Sequence, residues 1–145
     1  MANQLVLVVR RTIAAEPSRV FEAWTRPEQL LEWWGPRPVR CTRAEVELRV
    51  GGGYRLENTL PDGSVVVIFG EFAVIEPPHR LSYSWFLQAA AAEPSEASRV
   101  TVRFEPHPRG TEVIVLHERI ESKELRSDHE RGWNGCLDGL SAFFA

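Results

Sequence analysis

The chain holds one lysine, one methionine, two tyrosines and two cysteines among its 145 residues. Cys41 and Cys136 lie far apart, without CxxC spacing and without a histidine beside either. That arrangement excludes a disulfide framework and a short-range metal or redox motif. The two read as reduced core thiols, which points to a cytoplasmic protein. A basic run is also missing: 16 arginines and Lys123 are scattered against 20 acidic residues, for a net charge of −3. No nucleic-acid partner is expected from such a balance. Long apolar runs are absent too. Leu5–Val9 stops after five residues, with no basic stretch before it and no small-residue cleavage site after it. It is too short for a signal peptide or a membrane span, so no membrane partner is expected either.

What is present suits one domain over residues 1–145. The 43% hydrophobic and 26% charged fractions are those of a folded chain, and a chain of this length buries roughly 68–70% of its unfolded surface. Residues 5–14 alternate loosely and read as a first strand. Glu16-Pro17 opens a short helix with Val20, Phe21 and Trp24 on one face. Thr25 with Glu28 has the capping-box pattern of a second helix carrying Leu30, Leu31, Trp33 and Trp34, which Gly35-Pro36 ends. The period then changes to two, predicting strands over 39–49, 53–60, 65–76, 80–87, 98–106 and 110–118. Tight turns at Gly51-Gly52-Gly53, Pro61-Asp62-Gly63, Pro77-Pro78 and Arg109-Gly110 make neighbours antiparallel. The bland stretch from Gln88 to Ser98 reads as a mobile hairpin loop.

The last segment is helical, with Ser127 and Glu130 as its capping box. Leu125, His129, Trp133, Cys136, Leu137, Leu140, Phe143 and Phe144 fall within one arc at about 100° per residue. Gly132, Gly135 and Gly139 form a narrow stripe beside it. Each interior glycine costs ~1 kcal/mol relative to alanine. The stripe therefore marks a close approach to the backbone: tight helix–sheet packing, the rim of a cavity or a subunit contact. The order of elements gives an α+β helix-grip architecture, in which a curved antiparallel sheet wraps a long C-terminal helix and two short helices close one end. Such a fold leaves a hollow suited to an apolar ligand.

Phe21-Glu22-Ala23-Trp24-Thr25-Arg26-Pro27-Glu28, followed by Trp33-Trp34-Gly35-Pro36, resembles the opening signature of the activator-of-Hsp90-ATPase-homologue-like family. That family lies within the START/Bet v 1-like (SRPBCC) superfamily. Arg49-Val50-Gly51-Gly52 resembles its RxGG turn, and Gly70-Glu71 with Pro77-Pro78-His79-Arg80-Leu81 its central strand pair. Gly110-Thr111, His117-Glu118 and Gly132-Trp133-Asn134-Gly135-Cys136-Leu137 complete the pattern across the chain. The resemblance implies a Bet v 1-like container whose members share a fold more than a chemistry. An Hsp90-type chaperone is not the expected partner, because the eukaryotic co-chaperones of the family carry a separate N-terminal domain. Polyketide cyclases and steroid-binding proteins share the superfamily, and no acid/base constellation here singles out either.

Strand alternation assigns the hollow's wall. Leu81, Tyr83 and Trp85 share one face, as do Val67, Phe69 and Glu71, and Val100, Val102 and Phe104; Tyr54 and Leu56 are the inward pair of their strand. Tyr83 and Trp85 bring polar tips to an apolar wall. Glu71, if inward, needs Arg11, Arg55 or a histidine as partner. His117 on the inward phase and His129 on the helix arc converge, yet no third ligand has zinc-like spacing. No metal, no cofactor and no nucleophilic motif are expected.

The candidate ligand-binding set is Tyr54, Phe69, Glu71, Tyr83, Trp85, His117, His129, Trp133 and Leu137. The leading reading is a non-catalytic binding protein for an apolar or amphipathic small molecule. A protein-interaction module of co-chaperone or stress-response type is the second. A cyclase- or lyase-like enzyme using Glu71, His117 or His129 is the third. Ile68, Phe72, Phe86, Ile114, Leu116, Val6 and Val8 are expected on the outer face, as a patch for a two-fold homodimer.

Overall fold

A computed structural model describes residues 5–89 and 92–145. The elements run β1 (Leu5–Ile13), α1 (Pro17–Thr25), α2 (Pro27–Trp33), β2 (Arg40–Val46), β3 (Gly53–Thr59), β4 (Val65–Glu76), β5 (Arg80–Gln88), β6 (Ser98–His107), β7 (Gly110–Ile120) and α3 (Lys123–Phe143). The seven strands form one antiparallel sheet in the order β1-β7-β6-β5-β4-β3-β2. With α3 it makes the helix-grip, Bet v 1-like fold. The core lies between the sheet's inner face and α3, with α1 and α2 closing one end. It contains Leu81, Val100, Val102, Phe104, Val113, Val115, Leu137 and Leu140, all fully buried. No helix among the described residues is long and apolar enough to cross a membrane.

Two helix starts differ from the capping patterns. Thr25 is the last residue of α1, and its hydroxyl donates to the Phe21 carbonyl at 2.9 Å. Arg26 alone separates the two short helices, in an extended conformation (φ −96°, ψ 122°). Pro27 forces that break, because its ring clashes with a helical conformation in the residue before it. Helix α3 begins a turn earlier than the Ser127 box: Ser122 is the cap, its hydroxyl accepting the Leu125 N–H at 3.1 Å. A capping serine needs no glutamate three residues on, so the stronger motif lost to the earlier one.

The phase of β4 is reversed from expectation. Ile68 and Phe72 are buried on the inner face, whereas Phe69 stacks on Phe86 at 5.1 Å and Glu71 is exposed. Glu71 therefore needs no buried partner. Arg11 bonds Asp138 of α3 at 2.6 Å instead, and Arg55 bonds Glu57. The run Val65–Phe69 is apolar in both phases and carries no directional signal, so the charge at Glu71 was the only cue, and it points outward. The homodimer patch loses Ile68 and Phe72 for the same reason. Val6 and Val8 do stand half-exposed, but across the sheet Ile114 lies between Arg10 and Arg103. The Gln88–Ser98 loop includes Ala90 and Ala91, outside the described residues, as is the 1–4 segment ahead of β1. Around the gap, Ser95 closes onto Leu87 through its N–H and its hydroxyl.

Candidate functional site

Two inward strand positions and one helix face build the polar centre of the core. Ser98 opens β6 and His117 closes the inward row of β7, while α3 presents His129 and, one turn on, Trp133. The indole of Trp133 donates to His117 Nδ1 at 3.1 Å, and His117 Nε2 lies 2.8 Å from the Ser98 hydroxyl. An indole N–H can only donate, so Nδ1 is the acceptor and the imidazole proton sits on Nε2. Ser98 then receives that proton and donates to the Trp85 carbonyl at 3.4 Å. Every donor in this relay has an acceptor, and a second proton on His117 would break it. Burial, with the neighbouring His129 adding to it, pushes the His117 pKa down to about 3. His129 stacks on His117 with centroids 4.5 Å apart. Burial lowers its pKa as well, against a smaller opposing pull from Asp128. Both rings are neutral at pH 7.

Beside this centre lies a cavity of about 250 Å³ between β3–β5, the 34–39 segment and α3. Trp34, Trp85 and Trp133 supply aromatic walls, and Leu60, Val66, Ile68 and Leu87 most of the rest. Asn58 and His129 are its polar members, and the exposed Asp128 stands at its rim. Neither arginine nor lysine lines it. Two polar atoms on its lining residues are buried without a partner, Trp85 Nε1 and Asn58 Oδ1. The three glycines of the α3 stripe divide here. A Cβ on Gly135 would stand 2.3 Å from Pro36 Cβ, and one on Gly139 2.4 Å from the Trp33 carbonyl oxygen. A Cβ on Gly132 would meet nothing within 4 Å, and Gly132 lines the cavity.

The sequence profile of the family described as activator of Hsp90 ATPase homolog 1-like protein matches residues 14–145. The chain belongs to that family. Solved structures with the same fold include a protein of Chromobacterium violaceum (23% identity, TM-score 0.84, 97% of both chains covered). An AHSA1 protein of Silicibacter pomeroyi aligns at 23% identity and TM-score 0.85 over 95% of this chain and 96% of that one. An AHSA1-like protein of Aeromonas hydrophila aligns at 25% identity and TM-score 0.78, over 96% and 91% respectively. None of the curated proteins matches the sequence. The fold and family support a ligand-binding or interaction module in general terms.

In this AHSA1-like chain the nine candidate residues fall into five groups. Trp85, His129 and Trp133 line the 250 Å³ cavity. His117 sits behind them, tied to Trp133. Tyr54 and Tyr83 lie in a nearly filled aromatic cluster with Trp24 and Phe72, where the Trp24 indole donates to the Tyr83 hydroxyl at 3.3 Å and Tyr54 donates to the Ser84 carbonyl at 2.7 Å. Burial raises both phenol pKa values. Leu137 is fully enclosed in the core, while Phe69 and Glu71 lie on the opposite side of the sheet. The free thiols of Cys41 and Cys136 are both buried, with pKa values pushed up to about 11 and about 12 by desolvation. Among the described residues no three of His, Cys, Asp and Glu gather closely enough to hold a metal ion. No hydrogen bond joins either histidine of the pair to a carboxylate there.

Asn58 and Ser98 are site residues that motif reasoning passed over. Both had a readable signal: Asn58 shares the inward phase of Tyr54 and Leu56, and Ser98 that of Val100 and Val102. A polar residue in an apolar alternation is the unusual member worth marking. The glycine stripe did mark Gly132 as a close approach, a cavity rim or a subunit contact, but spacing gives it the same face as Gly135 and Gly139 and could not separate the three.

Proposed function

We propose that the protein binds a small apolar or amphipathic molecule in the cavity between β3–β5 and α3, without a catalytic step. The observation that carries this is the space kept at Gly132. Gly135 and Gly139 have a packing reason to lack a side chain, and Gly132 has none except the cavity. A glycine inside a helix costs ~1 kcal/mol relative to alanine, and here the open volume is what that cost secures. The walls suit such a ligand: concave, mostly aromatic and aliphatic, with few polar groups. The protein's five tryptophans give a direct readout, since three of them line the cavity. Naphthalene should quench their emission saturably, and Gly132→Leu, which fills the space, should abolish the effect while leaving the fold intact. Quenching that is absent, or that survives Gly132→Leu unchanged, would remove the reading. Native mass spectrometry of protein from its own host would then identify a co-purifying ligand.

The interaction-module reading attaches to a different place, a groove of about 620 Å³ between α2, the 35–41 segment and the end of α3. Leu31 and Phe143 are exposed there, beside Glu32, Arg37 and Arg40. Charged side chains interrupt its apolar surface, and so the more apolar cavity beside α3 is the preferred site.

A further inference from the structure

Resting on that binding reading, we infer the chemical class of the ligand: a neutral, flat molecule of about two fused rings that carries both a hydrogen-bond acceptor and a hydrogen-bond donor. The unpaired atoms of the cavity wall set the polar requirement. Buried polar groups in folded proteins are nearly always hydrogen-bonded, and the exceptions call for an explanation. In this protein the His117 relay is complete, whereas Trp85 Nε1 and Asn58 Oδ1 are both enclosed and unpaired. Trp85 and Asn58 are only 5% and 4% exposed, and both line the same cavity. Trp85 contributes its carbonyl to the relay, so its backbone is held while its indole N–H is left over. Asn58 Nδ2 faces the Val66 carbonyl at 3.4 Å. A carbonyl accepts and never donates, which fixes the amide's orientation and leaves Oδ1, an acceptor, without a proton. The wall thus offers one donor and one acceptor. The complementary ligand supplies a carbonyl or ring nitrogen to Trp85 and an N–H or O–H to Asn58.

Size and charge follow from the same wall. An apolar cavity of about 150 Å³ accommodates benzene, so the 250 Å³ here holds about ten non-hydrogen atoms. Trp85 on the sheet, Trp133 on α3 and Trp34 between them surround that volume with rings, which favours a planar aromatic guest. An anion would enter without a cation to meet it, because no arginine or lysine lines the cavity and His129 is held neutral by burial. Among the described residues the one charged lining residue, Asp128, is a carboxylate already paired with Arg131 and offers an anion no positive charge.

Three probes on the same fused two-ring frame separate these requirements in the full-length protein: 2-quinolinone (lactam N–H and C=O), naphthalene (neither) and 1-naphthoate (anionic). Titrations are read by tryptophan emission and by the Trp85 indole N–H resonance, assigned through its loss in Trp85→Phe. The lactam should bind about tenfold or more tighter than naphthalene, the yield of a single well-made buried hydrogen bond or better. It should also move the Trp85 indole proton downfield, and 1-naphthoate should bind more weakly than naphthalene. Asn58→Leu and Trp85→Phe should each cut the lactam's preference over naphthalene to under threefold, read as the ratio of the two affinities within each variant. Equal affinity for lactam and naphthalene, a preference that survives both substitutions, or tightest binding by 1-naphthoate would each overturn the inference while the cavity reading stands. Failure of all three probes to bind would remove the cavity reading and the inference with it.

Discussion

One face of α3 meets two different surroundings within a few turns. Towards its C-terminal end the helix is pressed against the 33–36 segment, with Gly135 and Gly139 leaving no room for even a methyl group. Nearer its N-terminal end the same stripe opens, and Gly132 looks onto space bounded by Trp34, Trp85 and Trp133. The polar groups divide in parallel: the relay through His117 and Ser98 has every donor matched, while Asn58 and Trp85 on the cavity side each keep an unused atom. Identical residue types thus serve opposite ends. A glycine can close a gap or hold one open, and a buried polar atom can lock a core or wait for a partner. Only the neighbours tell which.

Substitutions can break this contrast in order of their expected effect. Trp133 belongs to both surroundings, being 2% exposed, bonded to His117 and part of the cavity wall. Trp133→Ala should cost about 3–5 kcal/mol in urea unfolding through lost packing and an orphaned His117 Nδ1. A loss under ~1 kcal/mol would mean that the indole serves the cavity alone. Acid should attack the closed relay next. His117 has its pKa lowered in the folded state, so between its unfolded value near 6.5 and the folded value of about 3 the unfolded chain binds a proton that the native one refuses. Stability is therefore full above pH 7 and declines on acidification, by about 2 kcal/mol between pH 7 and pH 5 from His117 alone. His129, shifted in the same direction, adds to the decline, and His129→Gln should make it shallower. Urea midpoints that coincide at pH 7 and pH 5 would contradict this.

The glycines give the sharpest pair. Gly139→Ala places a methyl against the Trp33 carbonyl and should destabilise by about 1–3 kcal/mol. Gly132→Ala has free space and improved helix propensity, so it should stabilise by up to ~1 kcal/mol. Thermal unfolding of the two variants side by side is the check. Equal signs would erase the distinction between the closed and open parts of α3.

Much of this was legible from residue order alone, and the limits are instructive. Alternation in β5 and β6 put Trp85, Val100 and Val102 on the inner face, because polar residues alternate there with apolar ones and leave one register that buries no charge. In β7 the run Val113–Leu116 is apolar in both phases, and Glu112 and Glu118, kept outward, set the register that turns His117 in. β4 failed that test, since Val65–Phe69 satisfies either register, and Phe69 and Glu71 were assigned to the wrong side as a result. The helical arc of α3 was read correctly for His129, Trp133, Cys136, Leu137 and Leu140, which are buried. Its start was not, because two serines compete to cap it and only packing chooses between them.

The sequence by itself determined the element order, the antiparallel turns and the helix-grip architecture, which follow from local chemistry: proline and glycine at breaks, a period of two or of 3.6 between them. The family came from the resemblance of its motifs. Tertiary structure alone decided which glycine faces a neighbour and which faces space, which ring nitrogen of His117 carries the proton, and that Asn58 and Trp85 share one cavity unpaired. These are properties of atoms brought together from β3, β5, β7 and α3, and no spacing along the chain encodes a distance between segments that far apart in sequence.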